Sequence, residues 1–161
     1  MRKDKINYYL DIAESVGERS TCLRRKFGAI IIKNDEIIAT GYNGAPRGRK
    51  NCDDLGYCMR DKLNIPRGER YEMCRSVHAE QNAIISVARK DMIGSTLYMT
   101  GMNVKTNEIE PHSTSCMMCK RLIINAGIKE VIVREPNNKH TIYQVEDWIN
   151  DDDSLKGEFG Y

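Results

Sequence analysis

The sequence predicts an α/β fold in which helices cover a β-sheet. Short β-branched runs alternate with amphipathic stretches in the order α, β, β, α, β, α, β, β, and this alternation is typical of a sheet with helices packed on it. Hydrophobic residues make up 40% of the chain and charged residues 30%, a balance found in folded domains and not in disordered chains. The length of 161 residues fits one domain, so we expect residues 1–161 to fold as a single unit.

The chain begins with a predicted helix and a predicted hairpin. Apolar side chains recur at helical spacing over residues 4–17, and Asp4 is placed to cap the first turn. Two apolar, β-branched runs at 27–32 and 36–40 are separated by an Asn-Asp turn, which predicts a β-hairpin.

Residues 41–75 have no regular hydrophobic period. The segment is rich in glycine and charged residues and carries three of the six cysteines. We predict a long irregular loop with a short helical turn inside it. Loops of this length in a compact domain are usually functional or held by a bound group.

Two further helices are expected in the second half of the chain. The first spans 77–90, with Ser76 as its N-cap. The second spans 116–126, where Ser115 is placed to cap the start and Gly127 to end the helix.

Three further strands are predicted, at 95–100, 128–134 and 141–145. Too few residues separate the last two strands for a parallel crossover, so we expect that pair to be antiparallel. The sheet would then be mixed and five-stranded. Residues 146–161 are strongly acidic, which indicates a solvated terminus or a short helix.

Charge and hydropathy argue against several classes of protein. The formal net charge is only +2, whereas a dedicated binder of long nucleic acid usually has a strong basic excess. No apolar run is long enough to cross a membrane, and the N-terminus lacks the apolar core of a secretory signal. We therefore expect a cytoplasmic protein without a membrane partner, whose six cysteines serve metal or thiol chemistry instead of disulfides.

Two short motifs carry the candidate chemistry, and each opens a predicted helix. Cys116 and Cys119 form a Cys-x-x-Cys at a helix start, where the helix dipole favours the thiolate form. Two thiolates and the imidazole of His78 make a three-ligand zinc site with one position open to water. Glu80, two residues after His78, is then a candidate general base and not a ligand.

Each motif alone has a simpler interpretation. A single histidine is often a hydrogen-bonded core residue, and two cysteines at this spacing could form a redox dithiol. Both motifs together, each at the start of a helix, favour the zinc site.

These motifs resemble those of the zinc-dependent cytidine deaminase superfamily, whose signature joins His-x-Glu to a later Cys-x-x-Cys. Within that superfamily, the chain resembles the deoxycytidylate (dCMP) deaminases from about residue 5 to residue 134. The segments that carry this narrower resemblance are Gly28-Ala-Ile-Ile, Gly41-Tyr-Asn-Gly-Ala-Pro46, His78-Ala-Glu-Gln-Asn-Ala-Ile84 and Leu122-Ile-Ile-Asn-Ala-Gly-Ile128. The resemblance implies a three-layer α/β/α fold with helices on both faces of the sheet.

The chain departs from the family pattern at two places. Ser115 stands where the family usually has proline, and serine can cap the helix instead. The stretch 101–115 is longer than is usual in the family. It would form either a lid over the pocket or a surface loop, and we expect the surface loop.

The resemblance implies hydrolytic deamination of dCMP to dUMP and ammonia, in pyrimidine deoxynucleotide metabolism. Zinc would acidify a water molecule, and Glu80 would move protons to the ring and to the leaving amine. Asn43, which matches the Asn of the family's Gly-Tyr-Asn, would bind the sugar, although asparagine is also common in turns. The phosphate needs a cation, for which Arg24 and Lys26 are the first candidates and Arg47 is another, unless these are solvated surface charges.

The resemblance also implies a homo-oligomer, which in many relatives is a hexamer, and a deoxynucleoside triphosphate effector. Some relatives carry a second, structural zinc ion, which four cysteines could hold in a closed tetrahedral site. The alternative is that these cysteines are unrelated buried thiols. The four cysteines are Cys22, Cys52, Cys58 and Cys74.

Two other functions remain open. A tRNA adenosine deaminase, or another cytosine-nucleotide deaminase, shares the zinc motifs. RNA binding should bring a basic, aromatic face, and the chain has only two Phe and one Trp. A non-catalytic zinc-binding scaffold would have no need of Glu80 beside an open zinc position.

Overall fold

A mixed β-sheet forms the centre of the computed structural model, which describes residues 1–152. The strand order is β2-β1-β3-β5-β6, and β4 pairs with β3 outside this path. The strands are β1 (Arg25–Lys33), β2 (Glu36–Tyr42), β3 (Thr96–Asn103), β4 (Glu108–Ile109), β5 (Glu130–Arg134) and β6 (His140–Gln144). The helices are α1 (Lys5–Gly17), α2 (Cys52–Leu55), α3 (Met59–Lys62), α4 (Ala79–Ile84), α5 (Arg89–Met92), α6 (Met117–Ala126) and α7 (Val145–Asn150), and a 3-10 turn spans Tyr71–Met73. The α/β class is confirmed, and the sixth strand was not predicted because β4 is too short to show a period.

Helices cover both faces of the sheet, and β1 shows how the faces divide. Ala29 and Ile31 belong to a buried cluster with residues of α4 and α6. Ile30 and Ile32 belong to a second cluster, with residues of α1. Successive side chains of a strand point to opposite faces, so β1 supplies both cores of a three-layer structure.

The first helix and the first hairpin form as predicted. The Asp4 side chain accepts a hydrogen bond from the backbone nitrogen of Asn7 at 2.9 Å and so caps α1. β1 and β2 pair antiparallel, and the turn residues Asn34 and Asp35 have φ values of 51° and 61°. Positive φ at both central residues matches the twist of a tight hairpin.

β3 and β5 form a parallel pair, and α6 lies in the connection between them. Gly127 ends α6 with a φ of 79°, as predicted for a C-terminal glycine. β5 and β6 pair antiparallel, which confirms the prediction for the last two strands.

The prediction of one helix over 77–90 is wrong. The chain forms α4 and α5 instead, with a break between them. Val77 pairs with Gly44 in an isolated β-bridge, so the helix cannot begin before His78, and His78 takes the N-cap position that we assigned to Ser76.

Ser115 does not cap α6, contrary to prediction. The N-cap is Cys116. The Ser115 side chain is buried, and its hydroxyl has no hydrogen-bond partner among residues 1–152. α6 therefore starts without a side-chain hydrogen bond at its N-cap.

The 41–75 segment is more regular than predicted, because α2, α3 and the 3-10 turn lie within it. The acidic C-terminal segment begins with α7, and its residues 153–161 lie outside the described residues. Among the helices of residues 1–152, none combines the length and the apolar character needed to cross a membrane.

Candidate active site

The structure brings the three predicted zinc ligands together. The Sγ atoms of Cys116 and Cys119 lie 3.6 Å and 3.3 Å from Nδ1 of His78, and the three ligand atoms all lie within 4.8 Å of one another. Ligand atoms bound to tetrahedral zinc at about 2.0–2.3 Å are about 3.5 Å apart. The donor set and the spacing therefore fit a zinc ion with a fourth position for water.

The loop after β2 holds His78 in place. Gly44 donates to the carbonyl of Val77 at 3.2 Å, and Val77 donates to the carbonyl of Gly44 at 2.7 Å, which fixes the residue before the ligand. The backbone nitrogen of His78 donates to Oε1 of Gln81 at 2.8 Å, so the first turn of α4 closes on its own N-cap.

β2 also fixes the position of α4. Nδ2 of Asn82 donates to the carbonyl oxygen of Tyr42 at 2.8 Å. The helix lies so close to the strand that a Cβ at Gly41 would overlap the carbonyl oxygen of Ala79 and lie 2.5 Å from the nitrogen of Ala83. The absence of a side chain at Gly41 is therefore needed for the close approach of α4 to the sheet.

The start of α6 supplies both cysteines. Cys116 is the N-cap residue and Cys119 lies in the first turn, and both are buried. The backbone nitrogen of Lys120 donates to the carbonyl of Cys116 at 2.8 Å. The positive end of the helix dipole favours ionised sulfur at this position.

Hydrogen bonds and burial shift the pKa values of the three side chains. The pKa of Cys116 falls to about 4, chiefly because Cys119 hydrogen-bonds to its sulfur and His78 adds a second bond, although burial opposes the charge. The pKa of Cys119 is raised by its hydrogen bond to Cys116 and by burial of its thiol. Burial opposes the charge of His78, but hydrogen bonds to Cys116 and Cys74 outweigh it and raise the pKa to about 10. Zinc needs thiolates and a neutral imidazole, so binding would release protons.

Glu80 is placed as a base beside the ligands. It lies on the first turn of α4 and is 4% exposed. It lines the same pocket as His78 and Cys116, and its charge raises the pKa of His78 and of Cys119. It lies outside the group of three ligand atoms, which leaves it available for proton transfer.

A pocket opens beside the three ligands, with walls from β1, the 41–75 segment and the residues before α6. The residues that line it are Cys22, Arg24, Arg25, Phe27, Asn43, Cys58, Arg60, Arg67, Tyr71, Cys74, Ser76, His78, Ala79, Glu80, His112, Ser113, Thr114 and Cys116. The expectation of a surface loop over 101–115 is corrected here. Its first part continues β3 and forms β4, and its last part, from His112 to Thr114, walls the pocket.

Asn43 lines the pocket and is 6% exposed. The backbone nitrogen of Phe27 donates to its Oδ1 at 2.8 Å, and its Nδ2 donates to the carbonyl of Arg25 at 2.9 Å. The side chain therefore links the loop after β2 to β1. An amide can make four hydrogen bonds, so these two leave capacity for a sugar hydroxyl, and sugar binding stays a prediction.

The three candidate phosphate cations lie in different places. Arg24 lines the pocket and pairs with Asp61, with Nη1 3.2 Å from Oδ1. Lys26 lies inside β1 and not before it, and it does not line the pocket. It is four residues from Ile30, so its side chain points to the same face of the sheet, the one that α1 covers. Arg47 is exposed and lines a second groove. Of the three, only Arg24 lines the pocket that also holds His78 and Glu80, and phosphate binding stays a prediction.

The four other cysteines lie near one another. Burial raises the pKa of Cys52, and the nearby thiols of Cys22, Cys74 and Cys58 raise it further. Within residues 1–152, three or more ligand atoms come within 4.8 Å of one another only at the His78 site, so these thiols would have to move closer to bind metal. A second zinc site stays a prediction.

Sequence reasoning missed Arg60 and Tyr71, which both line the pocket. Arg60 is 5% exposed, and its guanidinium carbon lies 4.4 Å from the centroid of the Tyr71 ring. The Tyr71 ring in turn meets the His78 ring edge-on, with centroids 5.3 Å apart and planes at 81°. Both residues belong to a segment without a hydrophobic period, so the sequence pattern there does not distinguish buried from exposed positions.

Known proteins with similar sequences include deaminases that bind zinc, as the site predicts. A family model described as the cytidine and deoxycytidylate deaminase zinc-binding region matches residues 3–135. The deoxycytidylate deaminase of Mycobacterium phage D29 is 38% identical over 136 residues, which cover 81% of this chain and 94% of that protein. The deoxycytidylate deaminase of Schizosaccharomyces pombe is 32% identical over 141 residues, which cover 87% of this chain and 38% of that protein. The chain thus spans well under half the length of the S. pombe relative.

A solved structure of a deaminase is also similar to this chain. The dCMP deaminase of cyanophage S-TIM5, crystallised with dCMP and dUMP, matches with a TM-score of 0.59 and 30% identity, covering 96% of this chain and 94% of that chain. The three ligands and Glu80 all lie within the residues that the family model matches. This chain therefore belongs to the cytidine and deoxycytidylate deaminase family.

Proposed function

We propose that this protein is a zinc-dependent hydrolase that deaminates dCMP to dUMP and ammonia. The observation that carries the proposal is the buried carboxylate of Glu80 beside three zinc ligands. A closed structural site would have a fourth protein ligand and no base. The phage relatives, named as dCMP or deoxycytidylate deaminases, support the choice of substrate.

His78, Cys116 and Cys119 would hold the zinc ion. When zinc is bound there, it acidifies a water molecule, which is the nucleophile that this reaction needs. Glu80 takes a proton from the water and delivers protons to N3 of cytosine and to the departing amine. One water is consumed and one ammonia is released for each dCMP.

The charge of the pocket favours a nucleotide over a nucleoside. Four arginines line it, whereas Glu80 is the single carboxylate among its lining residues, and two of the arginines, Arg24 and Arg25, pair with Asp61 and Glu110. Such a field attracts an anionic substrate. Arg24 is a candidate contact for the phosphate, and Asn43 for the sugar.

Ammonia release from dCMP, dCTP, deoxycytidine and tRNA tests the proposal. We expect the highest kcat/KM with dCMP, loss of activity after chelation and recovery with added zinc. Preference for tRNA would favour an RNA adenosine deaminase. Absence of turnover on every substrate, in protein that holds zinc, would favour the scaffold function.

We also infer a homo-oligomer, a hexamer by resemblance, a deoxynucleoside triphosphate effector and a cytoplasmic location. Arg19, Arg47 and Arg49 line the second groove, which supports an anionic effector. All six cysteines are free thiols, which fits a reducing compartment. Sedimentation with and without dCTP or dTTP, and fractionation of cells, would test these predictions.

A further inference from the structure

A carboxylate outside the pocket holds the segment that leads into the zinc ligand Cys116. Glu135, the residue directly after β5, is 9% exposed. Its Oε2 accepts a hydrogen bond from the backbone nitrogen of His112 at 3.0 Å, and its Oε1 accepts one from the hydroxyl of Thr141 at 3.2 Å. The side chain thus ties the β5–β6 hairpin to a residue four positions before Cys116.

Glu135 contacts the backbone of His112 more closely than its ring. Nδ1 of the imidazole lies 3.8 Å from Oε1, and the His112 side chain is 87% exposed. A pair with an exposed side chain contributes little, whereas a bond from a backbone N–H to a carboxylate is charge-assisted. The contact therefore fixes the path of the backbone at His112 and not the position of the imidazole.

The chain between His112 and Cys116 is short and tightly turned. His112 has a φ of 55°, and the backbone nitrogen of Thr114 donates to the His112 carbonyl at 2.8 Å. The Ser113 hydroxyl donates to the carbonyl oxygen of Glu110 at 2.8 Å. Because residues 112–114 line the pocket, a movement of His112 would shift both the pocket wall and the ligand Cys116.

The start of α6 lacks two supports that could otherwise fix Cys116. A proline at position 115 would restrict the backbone before the ligand. Ser115 leaves that freedom, and its hydroxyl has no hydrogen-bond partner among residues 1–152. The N-cap residue of α6 makes no side-chain hydrogen bond to the helix either. The bond from His112 to Glu135 supplies a support from outside the helix.

We propose that Glu135 is a positioning residue of the active site, which keeps Cys116 at the spacing that zinc needs and keeps residues 112–114 at the pocket wall. This inference rests on the zinc site and on the proposed function. Loss of a group that orients metal ligands from outside the ligand set lowers metal affinity by about 10- to 100-fold. Glu135 acts through the backbone, so the place of its acceptor oxygen decides the effect, and its charge does not.

The test compares Glu135→Asp with Glu135→Gln. Aspartate keeps the charge but withdraws the acceptor oxygens by one methylene, whereas glutamine loses the charge and keeps an acceptor oxygen within reach of His112. Competition with a chelator measures the zinc dissociation constant of each folded protein. We expect Glu135→Asp to raise this constant about 10-fold and Glu135→Gln to raise it by less than about threefold. At saturating zinc, kcat/KM for dCMP should fall in the same order.

Glu130→Asp is the matched control, at the opposite end of β5. The two carboxylate oxygens of Glu130 accept hydrogen bonds from Thr96 of β3 and Gln144 of β6, both at 3.2 Å. Glu130 therefore joins neighbouring strands as Glu135 does, but without a bond to His112. Its shortening should change the zinc dissociation constant by less than about twofold, as expected for a substitution away from the site. Circular dichroism establishes that each variant is folded before the competition.

An unchanged zinc dissociation constant in Glu135→Asp would overturn the inference, because the place of the carboxylate would then not matter to Cys116. A larger loss in Glu135→Gln than in Glu135→Asp would overturn it in favour of a charge effect on the His112 ring. An equal loss in Glu130→Asp would overturn it in favour of a general weakening of the sheet. Failure of the proposed function looks different. The wild type would then bind zinc without turning over dCMP, and the expected order of the zinc dissociation constants would still support the role of Glu135.

Discussion

Glu80 is buried on the first turn of α4, next to the ligand His78. We predict that Glu80→Gln lowers kcat for dCMP by about 10²- to 10⁴-fold, because the amide keeps the shape of the side chain but cannot accept a proton. Zinc content should not change, since Glu80 is outside the group of ligand atoms. Ammonia release and metal analysis on the same preparation measure both effects.

Glu72→Gln is the matched control for this experiment. Glu72 lies in the 3-10 turn Tyr71–Met73, eight residues before Glu80, and its side chain is 65% exposed. The same chemical change there should alter kcat by less than about twofold, as expected for a surface substitution. If Glu80→Gln kept more than a tenth of wild-type activity, proton transfer would have to run through another group.

Single residues were predictable where chemistry dictates the residue type. Zinc accepts few ligand types, so His78, Cys116 and Cys119 could be found from the sequence, and the structure brings them together. Lys26 could not be placed, because a shift of one residue in a strand moves a side chain to the other face of the sheet. Arg60 could not be found, because its burial depends on the fold of an aperiodic segment.

At the scale of elements, the contact between β2 and α4 places His78 and Glu80 over the sheet. A Cβ at Gly41 would overlap the carbonyl oxygen of Ala79. We predict that Gly41→Ala displaces α4 and lowers kcat/KM for dCMP by about 10²-fold per folded molecule, because small misplacements of catalytic groups have effects of this size. Activity is measured on protein whose folded fraction is known from circular dichroism.

Gly28→Ala is the matched change on the other face of the sheet. A Cβ there would overlap the carbonyl oxygen of Ala13 and lie 2.5 Å from the nitrogen of Gly17, both in α1. Overpacking of this kind costs about 1–3 kcal/mol of the free energy of unfolding. We expect Gly28→Ala to lose stability while its folded molecules stay active. Equal specific activity in both variants would contradict a role of the β2–α4 contact in placing Glu80.

Element boundaries were less predictable than the elements themselves. The apolar period continues from α4 to α5, so the sequence favours one helix, and the bridge between Gly44 and Val77 that delays its start joins residues distant in sequence. Local patterns did predict the features that depend on neighbouring residues alone, such as the Asp4 cap and the Gly127 stop. Boundaries set by tertiary contacts leave no local signal.

At the scale of the whole molecule, a second zinc ion would join parts of the chain that share little core. Cys22 precedes β1, whereas Cys52, Cys58 and Cys74 lie in the 41–75 segment. We predict two zinc ions per chain in the wild type and one in Cys58→Ser, which should also lose several degrees of thermal stability. A closed site has no position for substrate, so folded Cys58→Ser should remain active.

Metal analysis of the wild type and of Cys58→Ser tests whether the second zinc site exists. One zinc ion in both proteins would rule out the second site, and the four residues would then be unrelated thiols. The small stability change typical of replacing a single buried thiol should accompany that result.

The separation of the zinc ligands along the chain has a consequence for the time course of folding. His78 and Cys116 are 38 residues apart, and β3 lies between them, so of the three ligands of this site only Cys116 and Cys119 are close neighbours in the unfolded chain. Closing the site needs the long-range strand pairing that is slow to form. Zinc uptake during refolding of metal-free protein should therefore not precede the fluorescence change of Trp148, which packs against Tyr143 of β6. A zinc-sensitive dye, followed together with the Trp148 fluorescence, shows which of the two events comes first. The rate of zinc uptake would then report when the native strand pairing is complete.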